Sequence, residues 1–135
     1  MPESWNYTLS IPNDPRAVTI CRRTLRLILA LHGLPHLTEA AELVATELVT
    51  NAVQHTKGPA AIRLRWSAPI LRIGVWDTDP RPPALTTAPT PTDESGRGLT
   101  LVEECTDKWG WYVLGTAQVP GRNGKLVWCE LAAAA

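Results

Sequence analysis

The hydrophobic period of this chain changes near residue 60, and that change limits the fold more than any other feature. Before it, "AVTICRRTLRLILALHG" carries Val18, Cys21, Leu25, Ile28, Leu29 and His32 at helical spacing and stops at Gly33, with Pro35 just beyond. A second helix, capped by Thr38, is expected to run to about Thr56 and to end at Gly58-Pro59. From Ala61 the period becomes two. Ile62, Leu64 and Trp66 alternate with Arg63 and Arg65, and after a Pro69 turn Leu71, Ile73 and Val75 alternate with Arg72 and Gly74. Paired helices followed by paired strands predict an α/β chain, a two-layer sandwich whose mixed or mostly antiparallel sheet carries helices on one face.

The remaining segments fit this plan. Residues 4–11, "SWNYTLSI", alternate as a first strand, and "PNDPR" supplies a turn in which Asp14 caps the first helix and Pro15 takes its first position. Residues 78–95 are rich in proline and threonine and have neither period; a loop of this length is read as a functional lid, with an inert insert as the alternative. "GRGLTLVEECTDK" returns to helical spacing, and "WGWYVL", "GRNG" and "KLVWCEL" read as a hairpin turning at Asn-Gly. No linker or internal repeat is visible, so residues 1–135 are read as one domain.

Thirteen basic residues balance 13 acidic ones, which points away from nucleic acid and anionic membranes and toward a small molecule or a protein partner. Cys21, Cys105 and Cys129 are odd in number and widely spaced, without a C-x-x-C, so neither a disulfide framework nor a zinc site is expected. No signal-like N-terminus and no membrane-length apolar run is present, and the expected compartment is the cytoplasm.

Three pieces carry chemistry. In "ELVTNAVQHT", Glu47, Asn51 and His55 are four residues apart, so at ~40° of drift per step they form one stripe along the edge of the apolar arc of the helix. They are expected to be half buried and therefore to need partners. Asn51 offers an oxygen to a divalent cation and Glu47 a proton acceptor, although Glu47 also suits a solvated helix position and His55 a helix end. Asp77 follows Val75 by two and shares its side of the sheet; it either accepts a hydrogen bond from an amino group in a pocket or caps its own "DTDP" turn. "SGRG" then leads into a helix, where free N–H groups and the helix dipole suit a phosphate, or simply mark a helix start.

The order of these pieces resembles the GHKL superfamily, the Bergerat ATP-binding fold of histidine-kinase catalytic domains, Hsp90-type ATPases and anti-sigma-factor serine kinases. "ELVTNAVQH" looks like its N-box, "VWDTDP" sits at its first glycine box, and "ESGRGLTLVEECTDKWGW" looks like its second. The likeness covers nearly the whole chain and is greatest to the small anti-sigma branch. It implies ATP and Mg²⁺ as cofactors, with Glu47 as general base and Asn51 and His55 at the nucleotide, Asn51 holding the metal. It further implies Asp77 on the adenine amino group and Gly96, Arg97, Gly98 and Leu99 along the phosphates, with Arg97 either near the γ-phosphate or facing solvent. The implied function is a serine/threonine protein kinase that binds a sigma factor and phosphorylates an antagonist protein, with homodimerisation open; the alternative is a non-catalytic interaction module. Two departures stand out: the first glycine box reads Asp77-Thr78-Asp79-Pro80, and Gly124-Lys125 is followed by Leu126, near where the family often has threonine.

Overall fold

The structure is a computed structural model that describes residues 4–80, 106–114 and 124–133. Among these, β1 (Ser4–Ile11) is followed by α1 (Arg16–Leu31), a 3₁₀ turn (Pro35–Leu37), α2 (Thr38–His55), β2 (Ala60–Ser67), β3 (Ile70–Asp77), β4 (Lys108–Leu114) and β5 (Gly124–Ala132). The strands form a sheet in the order β1-β2-β3-β5-β4 with every neighbouring pair antiparallel. Both helices cover one face of it, as the two-layer α/β reading requires.

Alternation decides which side chains meet the helices. Leu71, Ile73 and Val75 of β3, with Ile62, Leu64 and Trp66 of β2 and Val127, Cys129 and Leu131 of β5, are buried against Cys21, Leu25 and Leu29 of α1 and Val44, Leu48 and Val49 of α2. Burial pushes the Cys21 thiol up to about 11 and that of Cys129 up to about 12, so both act as small apolar residues and not as nucleophiles. Cys105 lies outside the described residues.

Helix α1 is fixed at both ends by local chemistry. Asp14 Oδ1 accepts the Arg16 N–H at 2.8 Å, and the Arg16 guanidinium closes on Oδ2 at 2.7 Å, holding the carboxyl down at about 2. The cap is as expected, but the helix starts at Arg16, with Pro15 just outside it. At the other end Gly33, at φ 73°, adopts the left-handed conformation that ends a helix. Leu34 N–H then reaches Leu29 O at 2.8 Å and Gly33 N–H reaches Ala30 O at 3.3 Å, a Schellman closure. The Arg26 guanidinium ties α1 to α2 through both Glu42 oxygens, at 2.7 and 2.9 Å.

Two local expectations are corrected, and a third falls mostly outside the described residues. Thr38 does not cap α2: the Pro35–Leu37 turn draws Leu37 into the core, so the chain is already helical at Thr38 and no extended residue remains to cap. The last hairpin does not turn tightly at Asn123-Gly124. Leu114 pairs with Gly124, which opens β5, and residues 115–123 lie outside the described residues. Of the segment read as a helix from Gly96, residues 96–105 lie outside the described residues, Thr106 and Asp107 are irregular, and Lys108 opens β4.

The two sides of α1 give a direct check. Leu29 is fully buried and Leu27 is 58 % exposed, so Leu29→Ala is expected to cost about 2–5 kcal/mol and Leu27→Ala about 0.5 kcal/mol or less. Urea titration of both variants measures the difference.

Candidate functional site

The C-terminal ends of α2 and β3 lie side by side. A Cβ on Gly58, just beyond α2, would come 2.7 Å from Thr78 Oγ1, just beyond β3. The end of α2 is held there by Asn13, whose amide N–H₂ reaches the carbonyls of Thr56 at 2.8 Å, Val53 at 3.2 Å and Gly58 at 3.3 Å. Thr56 closes the last turn by donating from Oγ1 to Ala52 O at 2.7 Å. These bonds satisfy carbonyls that a helix end leaves without intrahelical partners. Asn13 was legible only as a turn residue, because nothing local in "PNDPR" shows that its amide crosses to another helix.

The stripe on α2 is half buried over most of its length. Glu47 and Asn51 are partly covered, beside the buried Ala41, Val44, Ala45, Leu48, Val49 and Ala52. His55, the last residue of α2, is exposed, against expectation. Asn51 Nδ2 is buried and has no hydrogen-bond partner among the described residues. An unpaired buried amide costs about 1–3 kcal/mol, and native proteins seldom leave one without a reason. Amide nitrogen and oxygen exchange places by a half-turn of the side chain, so the same position can offer an oxygen to a cation or a donor to a phosphate.

Asp77 points into the molecule as alternation requires and is 4 % exposed. Its Oδ1 accepts from Lys125 Nζ at 3.0 Å and from Asp79 N–H at 2.9 Å. The turn-cap reading is therefore correct in its geometry. Both bonds fall on Oδ1, and Oδ2 has no protein donor among the described residues, so the carboxylate keeps capacity for a ligand amino group. Burial pushes the Asp77 carboxyl above its ordinary value, while Lys125 and the Asp79 N–H pull it back.

Lys125 was missed. It sits opposite Asp77 in the β3–β5 register, is as buried as its partner and also donates to Asp79 O at 3.1 Å. The signal was present: Lys125 has the same parity as Val127, Cys129 and Leu131, and a lysine on an apolar face needs a buried anion. Leu126, one residue on, is on the open face of the sheet, so it is Lys125 that fills the inward position. Gly124 completes the corner: at φ 133° it occupies a conformation that favours glycine, and any Cβ there would collide with the Asp77 carbonyl oxygen.

Gly96, Arg97, Gly98 and Leu99 lie outside the described residues, as does the lid beyond Pro80. Among the described residues no three His, Cys, Asp or Glu side chains gather to hold a metal. No helix among the described residues is long and apolar enough to cross a membrane.

Two helices covering one face of an antiparallel five-stranded sheet is an α/β architecture consistent with the GHKL-type ATPase fold. The chain belongs to the histidine kinase-like ATPase domain family, whose model matches residues 11–118. An uncharacterized protein of Streptomyces coelicolor is 44 % identical over 69 residues, which are 48 % of this chain and 66 % of that protein, so the match covers just under two thirds of the relative. Family membership supports ATP binding as the role of this chain.

The buried pair is testable by itself. Lys125→Met leaves a buried carboxylate without its counter-charge and is expected to cost about 3–5 kcal/mol at pH 7, with much of the loss recovered in the Asp77→Asn/Lys125→Met double variant. A double-mutant cycle by chemical denaturation measures it; additive losses would mean that the two charges do not interact.

Proposed function

We propose that this chain is an ATP- and Mg²⁺-dependent serine/threonine protein kinase of the anti-sigma type, which binds a sigma factor and phosphorylates an antagonist protein in the cytoplasm. The observation that carries the reading is the buried Asn51 Nδ2, which has no hydrogen-bond partner among the described residues, on the same helix edge as Glu47. A nucleotide phosphate or a metal would supply a partner for the Asn51 amide. Asn51 would hold Mg²⁺, which supplies charge neutralisation at the phosphates, and His55 stands at the outer end of the same stripe. Asp77 Oδ2 would accept from the adenine amino group, and the backbone from Gly96 to Leu99 would line the triphosphate, with Arg97 close to the γ-phosphate. Glu47 would take the proton of the substrate hydroxyl as its oxygen bonds to the γ-phosphorus and the bond to the ADP oxygen breaks. Residues 1–135 form the single domain that does this, as a monomer or a homodimer.

A second reading has an observation of its own. Lys125 already neutralises Asp77 from within the fold, and Pro80 removes a backbone donor from the first glycine box. A protein-binding module that no longer turns over ATP fits these two features.

Three substitutions separate the possibilities. Asn51→Ala is expected to remove the Mg²⁺-dependent part of ATP affinity without unfolding α2, because alanine is the best helix former; calorimetric titration with and without Mg²⁺ measures it. Asp77→Asn should weaken ATP binding and narrow a preference for ATP over GTP, and equal native affinities for the two would end the adenine assignment. Glu47→Gln should lower phosphate transfer to the antagonist by ~10²-fold or more with little change in ATP affinity. A native protein that binds ATP yet transfers nothing to its true partner is the interaction module.

A further inference from the structure

The face of the sheet turned away from the helices carries a charge pattern that the fold does not need. Arg65 of β2 and Arg72 of β3 are direct cross-strand partners on this face, and Arg63 lies one step along, opposite Gly74. Like charges placed directly across a sheet repel and destabilise the pairing. No carboxylate among the described residues forms an ion pair with any of the three; the described ion pairs are Asp14–Arg16, Glu42–Arg26 and Asp77–Lys125. Glu130 is the β5 neighbour of Arg72, but Lys108 of β4 stands opposite Glu130, so the row is still strongly positive.

The surroundings are shaped as well as charged. Trp128 lies flat toward β4, where Gly110 leaves room: a Cβ there would come 2.9 Å from the indole Cζ2. The Arg72 guanidinium lies over the indole with Cζ 4.3 Å from the ring centre, which holds its planar fork in place. Gly74 forms the floor of a shallow depression whose walls are Arg63, Arg65, Arg72, Trp128, Leu126 and Tyr112.

We propose that this open face is a docking surface for an acidic segment of a partner protein, its carboxylates paired with Arg63, Arg65 and Arg72 and an apolar side chain resting on Leu126 and Tyr112. Charge complementarity selects this occupant. A fixed arginine fork suits a carboxylate in two-point contact, and such an anion removes the repulsion between Arg65 and Arg72. A nucleic acid strand fits less well, because Arg72 covers the indole on which a base would stack and the whole chain has no excess positive charge. A second copy joined by a two-fold through this face would set arginine against arginine.

The test uses the full ¹⁵N-labelled chain, titrated by NMR with a short peptide of alternating Glu and Leu, with its Gln/Leu counterpart, and with single-stranded oligothymidine. The Glu/Leu peptide is expected to give saturable, salt-sensitive shifts on β2, β3 and β5 and at the Trp128 indole N–H. Arg65→Thr and Arg72→Thr should each weaken it at least tenfold, while Arg22→Ala on the exposed side of α1 leaves it unchanged. Arg65→Thr should also keep or raise the melting temperature, because it removes a like-charge pair. Equal shifts with the Gln/Leu peptide, tighter binding of oligothymidine on the same residues, a dimer in solution broken by Arg65→Thr, or a marked loss of stability in that variant would each overturn the proposal.

Discussion

Everything in this fold depends on how β3 is held. It pairs with β2 on one edge and β5 on the other, and its inward residues Leu71 and Ile73 are 0 % exposed and Val75 2 %. Side chains alternate along a strand, so a slip of one residue would send Arg72, Gly74 and Trp76 into the core and the aliphatic row into water. That cost locks the register. Once it is locked, Asp77 has no choice of side: two residues beyond Val75 it faces inward, and the antiparallel pairing sets Lys125 opposite it. The same register sets Arg65 against Arg72 on the open face. The neutralised inner corner and the mainly positive outer patch are thus two results of one hydrophobic alternation.

The parts of the fold that were legible in the sequence are those decided by local pattern. The strand from Ser4 to Ile11, the β2–β3 pair and the stop at Gly33 needed only period, turn residues and a left-handed glycine. Thr38 misled because a good capping residue does nothing when a preceding turn is already helical. Asn123-Gly124 misled for a related reason: a dipeptide that favours a tight turn can also open a strand where a neighbouring carbonyl leaves no room for a Cβ.

At the site, the residues read from the helix wheel and the strand parity were placed well, since both are short-range periodicities. Asn51 and Asp77 are as covered as those patterns require, and His55, at the end of the helix, is exposed. What was not legible is partnership across distance. Asn13 and the end of α2, or Asp77 and Lys125, are tens of residues apart, and only the tertiary fold brings donor to acceptor. The parity of Lys125 could have raised the question of a buried anion, but not identified Asp77 as the answer.

The pair also bears on how a nucleotide base would meet Asp77. Burying a carboxylate is expensive, and a site that buries it only when ligand arrives must meet that cost from binding energy. Here the fold has already met it. Asp77 is desolvated, oriented by Asp79 N–H and countered by Lys125, and all of this involves Oδ1. An incoming amino group needs only Oδ2, whose direction is fixed in advance. The Lys125 ammonium weakens the acceptor it supports, because charge drawn toward Oδ1 leaves Oδ2 less negative. If Asp77 meets a base as proposed, a lysine at this corner would exchange strength of that contact for rigidity, which would favour selectivity between bases over tight binding of any one of them.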